Sequence, residues 1–179
     1  YQPSRGLGDV YKRQKQNFYD LNFDQLKNFL IEKVEIEDKK AKMRAQQMFN
    51  AVYKKNIKNF DELTTFGLEL REKIKNLISL DKPKIIDIQK SKDGTIKFLL
   101  ELKDKRNVET VLIPDKSQSR YTICLSVSVG CYLSCEFCAT AQISKKLVRN
   151  LTPGEIISQI ILSKDYIDDW STQKKITNQ

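Results

Sequence analysis

The sequence predicts a mixed α/β protein in three consecutive parts: a small helical region, an antiparallel β-meander, and a strand–loop–helix unit. Three observations predict it. Apolar residues recur at helical spacing from Asp20 to Ser79. After Pro83 the apolar period falls to two. From Thr122 an alternating run leads into a cysteine-rich loop, which is followed by a helix with a strong start signal.

The helical region carries three apolar stripes. Leu26, Phe29, Leu30 and Val34 make the first, with Asn22 placed as N-cap and Gln25 as its reciprocal partner. Met48, Phe49, Val52 and Tyr53 make the second, beside a basic run of Lys39, Lys40, Lys42 and Arg44. Leu68, Leu70, Ile74, Leu77 and Ile78 make the third. Three such helices form a small bundle, and its lysines read either as solvated helix faces or as a grip on an anionic partner. The first fourteen residues, YQPSRGLGDVYKRQ, differ in character from the Lys/Asn/Ile-rich remainder and read as a non-native leader. Gly6-Leu7-Gly8 lacks a third glycine and a preceding strand, so it is no dinucleotide fingerprint.

The meander is expected as Lys84 to Gln89, a turn at Ser91-Lys92-Asp93-Gly94, Thr95 to Leu102, a polar turn, and Val108 to Ile113 stopped by Pro114. Asp-Gly supplies the positive φ angles of a tight hairpin turn. Glu109 is the unusual residue, because alternation places it on the face of Val111 and Ile113. A carboxylate on an apolar face has its charged form disfavoured and suits proton transfer. From pattern alone, an edge-strand glutamate reaching to solvent is the stronger reading.

The third part, TICLSVSVGCYLSCEFCAT, alternates Ile123, Leu125, Val127 and Val129 with Thr122, Cys124, Ser126 and Ser128, then delivers Cys131, Cys135 and Cys138 after Gly130. Three thiolates at C-x3-C-x2-C spacing suit an iron–sulfur cube that leaves one iron without a protein ligand. Structural zinc sites instead pair two C-x2-C knuckles, and Cys124, inside a strand, is badly placed to complete one. Lys145, Lys146 and Arg149 form a basic patch ahead of Leu151-Thr152-Pro153-Gly154-Glu155, where Thr152 caps a helix, Pro153 occupies its first position and Glu155 its third. That helix presents Ile156, Ile157, Ile160 and Ile161 to one side, and Ile176-Thr177-Asn178 begins a further strand.

Composition narrows the function. The chain has 179 residues, 40% of them hydrophobic, which is enough for a real core in one or two domains. Its longest apolar run, Ile156 to Leu162, is far below the roughly 18 residues of a spanning helix. A net charge of +9 makes an anionic partner a modest favourite. Three of four cysteines fall within eight residues, the pattern of a metal or cluster site in a reducing, cytoplasmic compartment. With no histidine, Cys/His fingers, Ser-His-Asp triads and histidine bases are excluded.

The C-x3-C-x2-C loop with Phe137 before its last cysteine resembles the cluster loop of radical S-adenosylmethionine (SAM) enzymes. More narrowly, VETVLIP from Val108 to Pro114, Cys124, CYLSCEFCATAQ and RNLTPGEI resemble the RlmN/Cfr family of radical-SAM RNA adenine methyltransferases. The resemblance implies a truncated radical-SAM partial (β/α) barrel preceded by a small helical accessory domain and a β-meander. With residues 1–14 set aside as the leader, it implies an RNA-binding accessory domain at 15–80, an antiparallel extension at 81–120 and the start of the barrel at 121–179. Cys131, Cys135 and Cys138 match the ligands of a 4Fe-4S cluster whose open iron binds SAM. Glu109 matches the proton acceptor. Cys124 matches the resolving cysteine, which forms a transient disulfide with a C-terminal cysteine; without the resemblance it reads as a buried, hydrophobe-like thiol. On its strand, Cys124 is expected opposite Ile123 and Leu125, facing the barrel interior.

In that family one SAM methylates a cysteine thiolate, a radical from a second SAM activates the S-methyl group, and a covalent protein–RNA adduct is resolved by the second cysteine. The implied product is adenine methylated at carbon 2 in 23S rRNA, and in tRNA for dual-specificity members, with a low-potential donor such as flavodoxin. A Cfr-like activity at carbon 8, a radical-SAM enzyme with another substrate, and a zinc-containing basic nucleic-acid-binding protein stay open as alternatives. No cysteine follows Cys138 and the glycine-rich SAM-contacting segment is absent. The sequence is therefore read as an N-terminal fragment that cannot methylate alone.

Overall fold

The structure, a computed structural model, describes residues 15–115, 120–131, 146–170 and 176. The chain divides into two compact units, Tyr1–Asp81 and Lys82–Gln179. Residues 1–14, with the leader reading, lie outside the described residues, as do Cys135, Cys138 and Lys145.

The first unit runs β1 (Gln16–Asn17), a 3-10 turn, α1 (Phe23–Glu32), α2 (Asp38–Tyr53), a second 3-10 turn, α3 (Leu68–Leu77) and β2 (Ile78–Ser79). Asn22 starts α1 as expected: its side chain accepts from Gln25 N at 2.8 Å, and its own N–H donates to Gln25 Oε1 at 2.9 Å. Such a cap is worth about 1 kcal/mol because it satisfies N–H groups that the first turn leaves without partners. Leu26, Leu30 and Val34 are buried with Ala41, Ala45, Met48 and Val52, and the α2 alanines let the two helices approach closely.

The third stripe departs from expectation. Leu68 is 74% exposed, Ile74 is the buried residue of α3, and Ile78 leaves the helix for β2. There it pairs in parallel with Gln16 of β1, a long-range contact that no local pattern encodes. Immediately after β1, Phe18 is fully buried, with its ring 5.4 Å from Phe49, 5.8 Å from Tyr53 and 6.4 Å from Phe60. Burial in the same cluster pushes the Tyr53 phenol up to about 12.

The second unit is a four-stranded antiparallel sheet in sequence order, β3 (Lys84–Lys90), β4 (Ile96–Glu101), β5 (Asn107–Asp115) and β6 (Arg120–Leu125), followed by the short pair β7 (Ser128–Val129) and β8 (Arg149–Asn150), and by α4 (Pro153–Ile167). The β3–β4 turn needs positive φ only at Gly94, at 96°, while Asp93 accepts from Thr95 N at 2.9 Å. Pro114 does not stop β5. The β4 ladder ends at Leu112, so among the described residues β5 pairs only with β6 there, and Pro114 pairs with Tyr121.

Buried Ile96, Phe98, Leu100, Val108, Leu112 and Ile123 line one sheet face, and Ile156, Ile160, Tyr166 and Ile167 of α4 pack against this cluster. Thr152 caps α4 as expected: Oγ1 accepts from Glu155 N at 3.2 Å, and Thr152 N donates to Glu155 Oε2 at 2.9 Å. After α4, Ile176 forms a parallel bridge with Tyr121 on the free edge of β6. Strand, helix and parallel return make the beginning of a βαβ unit. Among the described residues no helix is long and apolar enough to cross a membrane.

Candidate active site

Register decides which side chains share a face, because residues directly opposite one another project the same way. Lys97 pairs with Val111, and Val111 with Cys124, so these three form one row across β4, β5 and β6. Leu99 pairs with Glu109 in the next row. Glu109 is thus the diagonal neighbour of both Lys97 and Cys124 on the sheet face opposite the one α4 covers. Diagonal neighbours lie roughly 7–8 Å apart, within reach of long side chains.

Lys97 Nζ closes one diagonal with an ion pair to Glu109 Oε1 at 3.1 Å. The face holding Glu109 does include Val111 and Ile113, but it is open. Glu109 is 52% exposed in its side chain and Ile113 is 45% exposed, so among the described residues Glu109 is the solvent-reaching glutamate that the pattern favours, not a carboxylate enclosed by apolar groups. Cys124 lies opposite buried Ile123 across the strand, and it is exposed. It is a free thiol, and the expected disulfide finds no support here.

The eight-residue alternation read as one strand is broken after Leu125. At that point Gln159, fully buried on α4, meets the strand. Its Oε1 accepts from Ser126 N at 2.9 Å and from Thr110 Oγ1 at 2.7 Å, and its Nε2 donates to Ser126 O at 2.9 Å and to Glu155 O at 3.3 Å. Ser126 Oγ in turn donates to Glu109 O at 2.7 Å. With Ser126 taken up by a side chain, the strand exchanges partners: Leu151 N donates to Val127 O at 2.9 Å, and Ser128 and Val129 pair with Asn150 and Arg149. Gly130 then turns with φ 75°, which favours glycine, and the chain arrives at half-buried Cys131.

Arg149, read from sequence in a basic patch, is committed internally. It holds Glu155 at 2.7 and 2.8 Å and Asp104 at 2.9 Å. Burial works to raise the Glu155 carboxyl, but bonds from Arg149 and the Thr152 N–H outweigh it and hold it below the ordinary carboxylate value. A hydrogen bond from Arg149 chiefly, opposed by slight desolvation, likewise lowers Asp104.

The structure therefore brings Glu109 and Cys124 onto one face and sends β6 and β7 directly into Cys131. Cys135 and Cys138 lie outside the described residues. The donor set fits an iron–sulfur cluster, since three soft thiolates fall within eight residues and the first follows a strand end and a left-handed glycine. Lys97 and Gln159 were missed by sequence reasoning. The two-residue period does place Lys97 on the Val111 face, whereas no local signal marks Gln159.

Residues 16–80 match the family model of the ribosomal RNA large subunit methyltransferase N-terminal domain. The chain is 38% identical over 159 residues to a dual-specificity RNA methyltransferase RlmN of Oleidesulfovibrio alaskensis, covering 89% of this chain and 42% of that protein. The chain belongs to the RlmN-like family. A dual-specificity RNA methyltransferase RlmN of Campylobacter fetus is 39% identical over 160 residues, covering 83% of this chain and 42% of the relative. Among solved structures, a radical SAM methyltransferase from Sphaerobacter thermophilus superposes with a TM-score of 0.75 at 29% identity, over 91% of this chain and 45% of the other. The chain thus spans about two fifths of the length of the RlmN relatives it matches.

Proposed function

We propose that these residues supply, to a complete RlmN-type enzyme, the RNA-gripping accessory domain, the proton acceptor, the resolving thiol and the cluster loop of a radical-SAM RNA adenine methyltransferase. The observation that carries this reading is the diagonal placement of Glu109 and Cys124 on one open sheet face whose strand leads to Cys131. Glu109 is the proton acceptor, oriented by Lys97 at 3.1 Å. Cys124 is the thiol that releases the enzyme from its RNA adduct, and its exposure leaves the sulfur accessible. Cys131, Cys135 and Cys138 would hold a 4Fe-4S cluster with SAM on its open iron. When bound, that group supplies one-electron chemistry suited to an electron-poor ring carbon that has no nucleophilic lone pair.

The sheet, α4 and the parallel bridge at Ile176 support a reading as the opening of a (β/α) barrel, with the ligands beyond the C-terminal ends of the strands. Exposed Lys39, Lys40 and Lys42 on α2 support RNA contact by the accessory domain. The substrate is adenine carbon 2 in 23S rRNA and in tRNA, the electron donor a low-potential protein of the flavodoxin kind, and the compartment the cytoplasm. The RlmN names of the relatives favour carbon 2 over the Cfr-like carbon 8, and their methyltransferase names disfavour a zinc-containing binding protein.

Anaerobic reconstitution of the 179-residue chain tests the cluster. A brown protein with about four irons and four sulfides per chain is expected, lost when Cys131, Cys135 and Cys138 are all alanine. A colourless chain holding stoichiometric zinc overturns the reading.

A further inference from the structure

Resting on the reading just given, we propose that Gln159 is a positioning residue: its carboxamide sets where β6 ends, and so fixes Cys124 against Glu109 and aims the chain toward Cys131. The amide behaves as a detached peptide group. It meets the N–H and the C=O of Ser126, both at 2.9 Å, as a neighbouring strand would, but from a helix side chain. The same Oε1 takes the hydroxyl of Thr110, the residue after Glu109, at 2.7 Å, and Ser126 Oγ returns to the carbonyl of Glu109 at 2.7 Å.

One buried side chain is therefore tied to both strands, next to Glu109 on β5 and two residues beyond Cys124 on β6. Gln159 is 0% and Thr110 1% exposed, so water cannot substitute for these bonds without entering the core. Without the carboxamide, Ser126 loses the partner that draws it out of the β5 ladder, and the 126–129 segment is free to slide relative to β5. Displacements of about 1 Å at a reacting group can cost on the order of a hundredfold in rate.

The test uses the complete, cluster-loaded enzyme that carries this sequence, with Gln159→Leu, Gln159→Glu and Thr110→Val. Gln159→Leu should leave iron per chain unchanged, lower kcat about tenfold or more with KM for RNA within about twofold, and speed amide exchange at Ser126 about tenfold or more. The share of chain covalently held on RNA in denaturing gels should rise, because resolution at Cys124 is slowed more than formation. Gln159→Glu keeps the acceptor contacts but turns a buried carboxylate oxygen on the carbonyls of Ser126 and Glu155, so it should shift the same readouts in the same direction at least as far. Thr110→Val loses one donor and should shift them by less, and it decides the matter if the Gln159 variants do not fold.

Unchanged kcat per cluster-loaded chain, or lowered yield and iron with neither the kcat nor the adduct effect, overturns the positioning role. Cys124→Ala is the control for the underlying reading. If it accumulates no adduct and the unsubstituted enzyme makes no methylated RNA, the functional reading itself falls, and this inference with it.

Discussion

Arg149 grips Glu155 with two parallel hydrogen bonds, at 2.7 and 2.8 Å, while its Nε reaches Asp104 at 2.9 Å. The same Glu155 carboxylate accepts from the N–H of Thr152 at 2.9 Å. One guanidinium thus fastens the start of α4 to β8 and to the β4–β5 turn, and α4 is the helix that carries Gln159.

This cluster contributes to acid stability. The Glu155 and Asp104 carboxyls are both held below their ordinary values of 4.5 and 3.8. A lowered carboxyl contributes stability that is fully present above its ordinary value and is lost as pH falls through its folded value. The midpoint of thermal unfolding should therefore be flat near neutrality and fall below about pH 4. Glu155→Gln should cost about 1 kcal/mol at neutral pH, the Glu155 side chain being 18% exposed, and should flatten that acid limb in scans run at several pH values.

Glu109 separates function from folding. Its side chain is 52% exposed and its partner Lys97 38%, so Glu109→Gln should change stability by less than about 1 kcal/mol. In the complete enzyme the same substitution should abolish methylated product with iron content unchanged. Retained turnover would remove Glu109 from the proton-transfer role.

The two described cysteines should behave differently. Cys124 is exposed, and alkylation with iodoacetamide should label it while leaving thermal stability within about 0.5 kcal/mol. Cys124→Ala should leave reconstituted iron unchanged, whereas Cys131→Ala should abolish it. Equal iron loss in both variants would place Cys124 among the ligands.

Phe18 anchors the first unit. It is fully buried against the rings of Tyr19, Phe49, Tyr53 and Phe60, so Phe18→Ala should cost about 3–5 kcal/mol and unfold that unit at ordinary temperatures, as read by far-ultraviolet circular dichroism. In the intact protein the Tyr53 phenol should titrate near 12, and stability should decline as pH rises from 10, its ordinary value, toward that point.

The legible features were those written in local chemistry. Asn22 with Gln25 and Thr152 with Glu155 announced two helix starts, and both reciprocal caps form. The two-residue period put Glu109 on the face of Val111 and opposed Cys124 to Ile123, as the register has them. The exposure of Glu109 agrees with the solvent-reaching reading that its residue type favoured, although alternation itself fixes only parity and says nothing of what covers each side. Leu68 shows the same limit: its spacing suited a buried stripe, yet it is 74% exposed, since no partner element lies over it among the described residues.

By itself the sequence determined where helices begin, where the apolar period changes, which residues alternate, and which thiols cluster, because each depends on groups within a few residues of one another. Tertiary structure alone decided that β1 pairs with β2, that Lys97 pairs with Glu109, and that Gln159 ends β6 by satisfying the backbone of Ser126. Those contacts join residues far apart in the chain, and a buried carboxamide takes its partners from whatever backbone the completed fold leaves unpaired beside it.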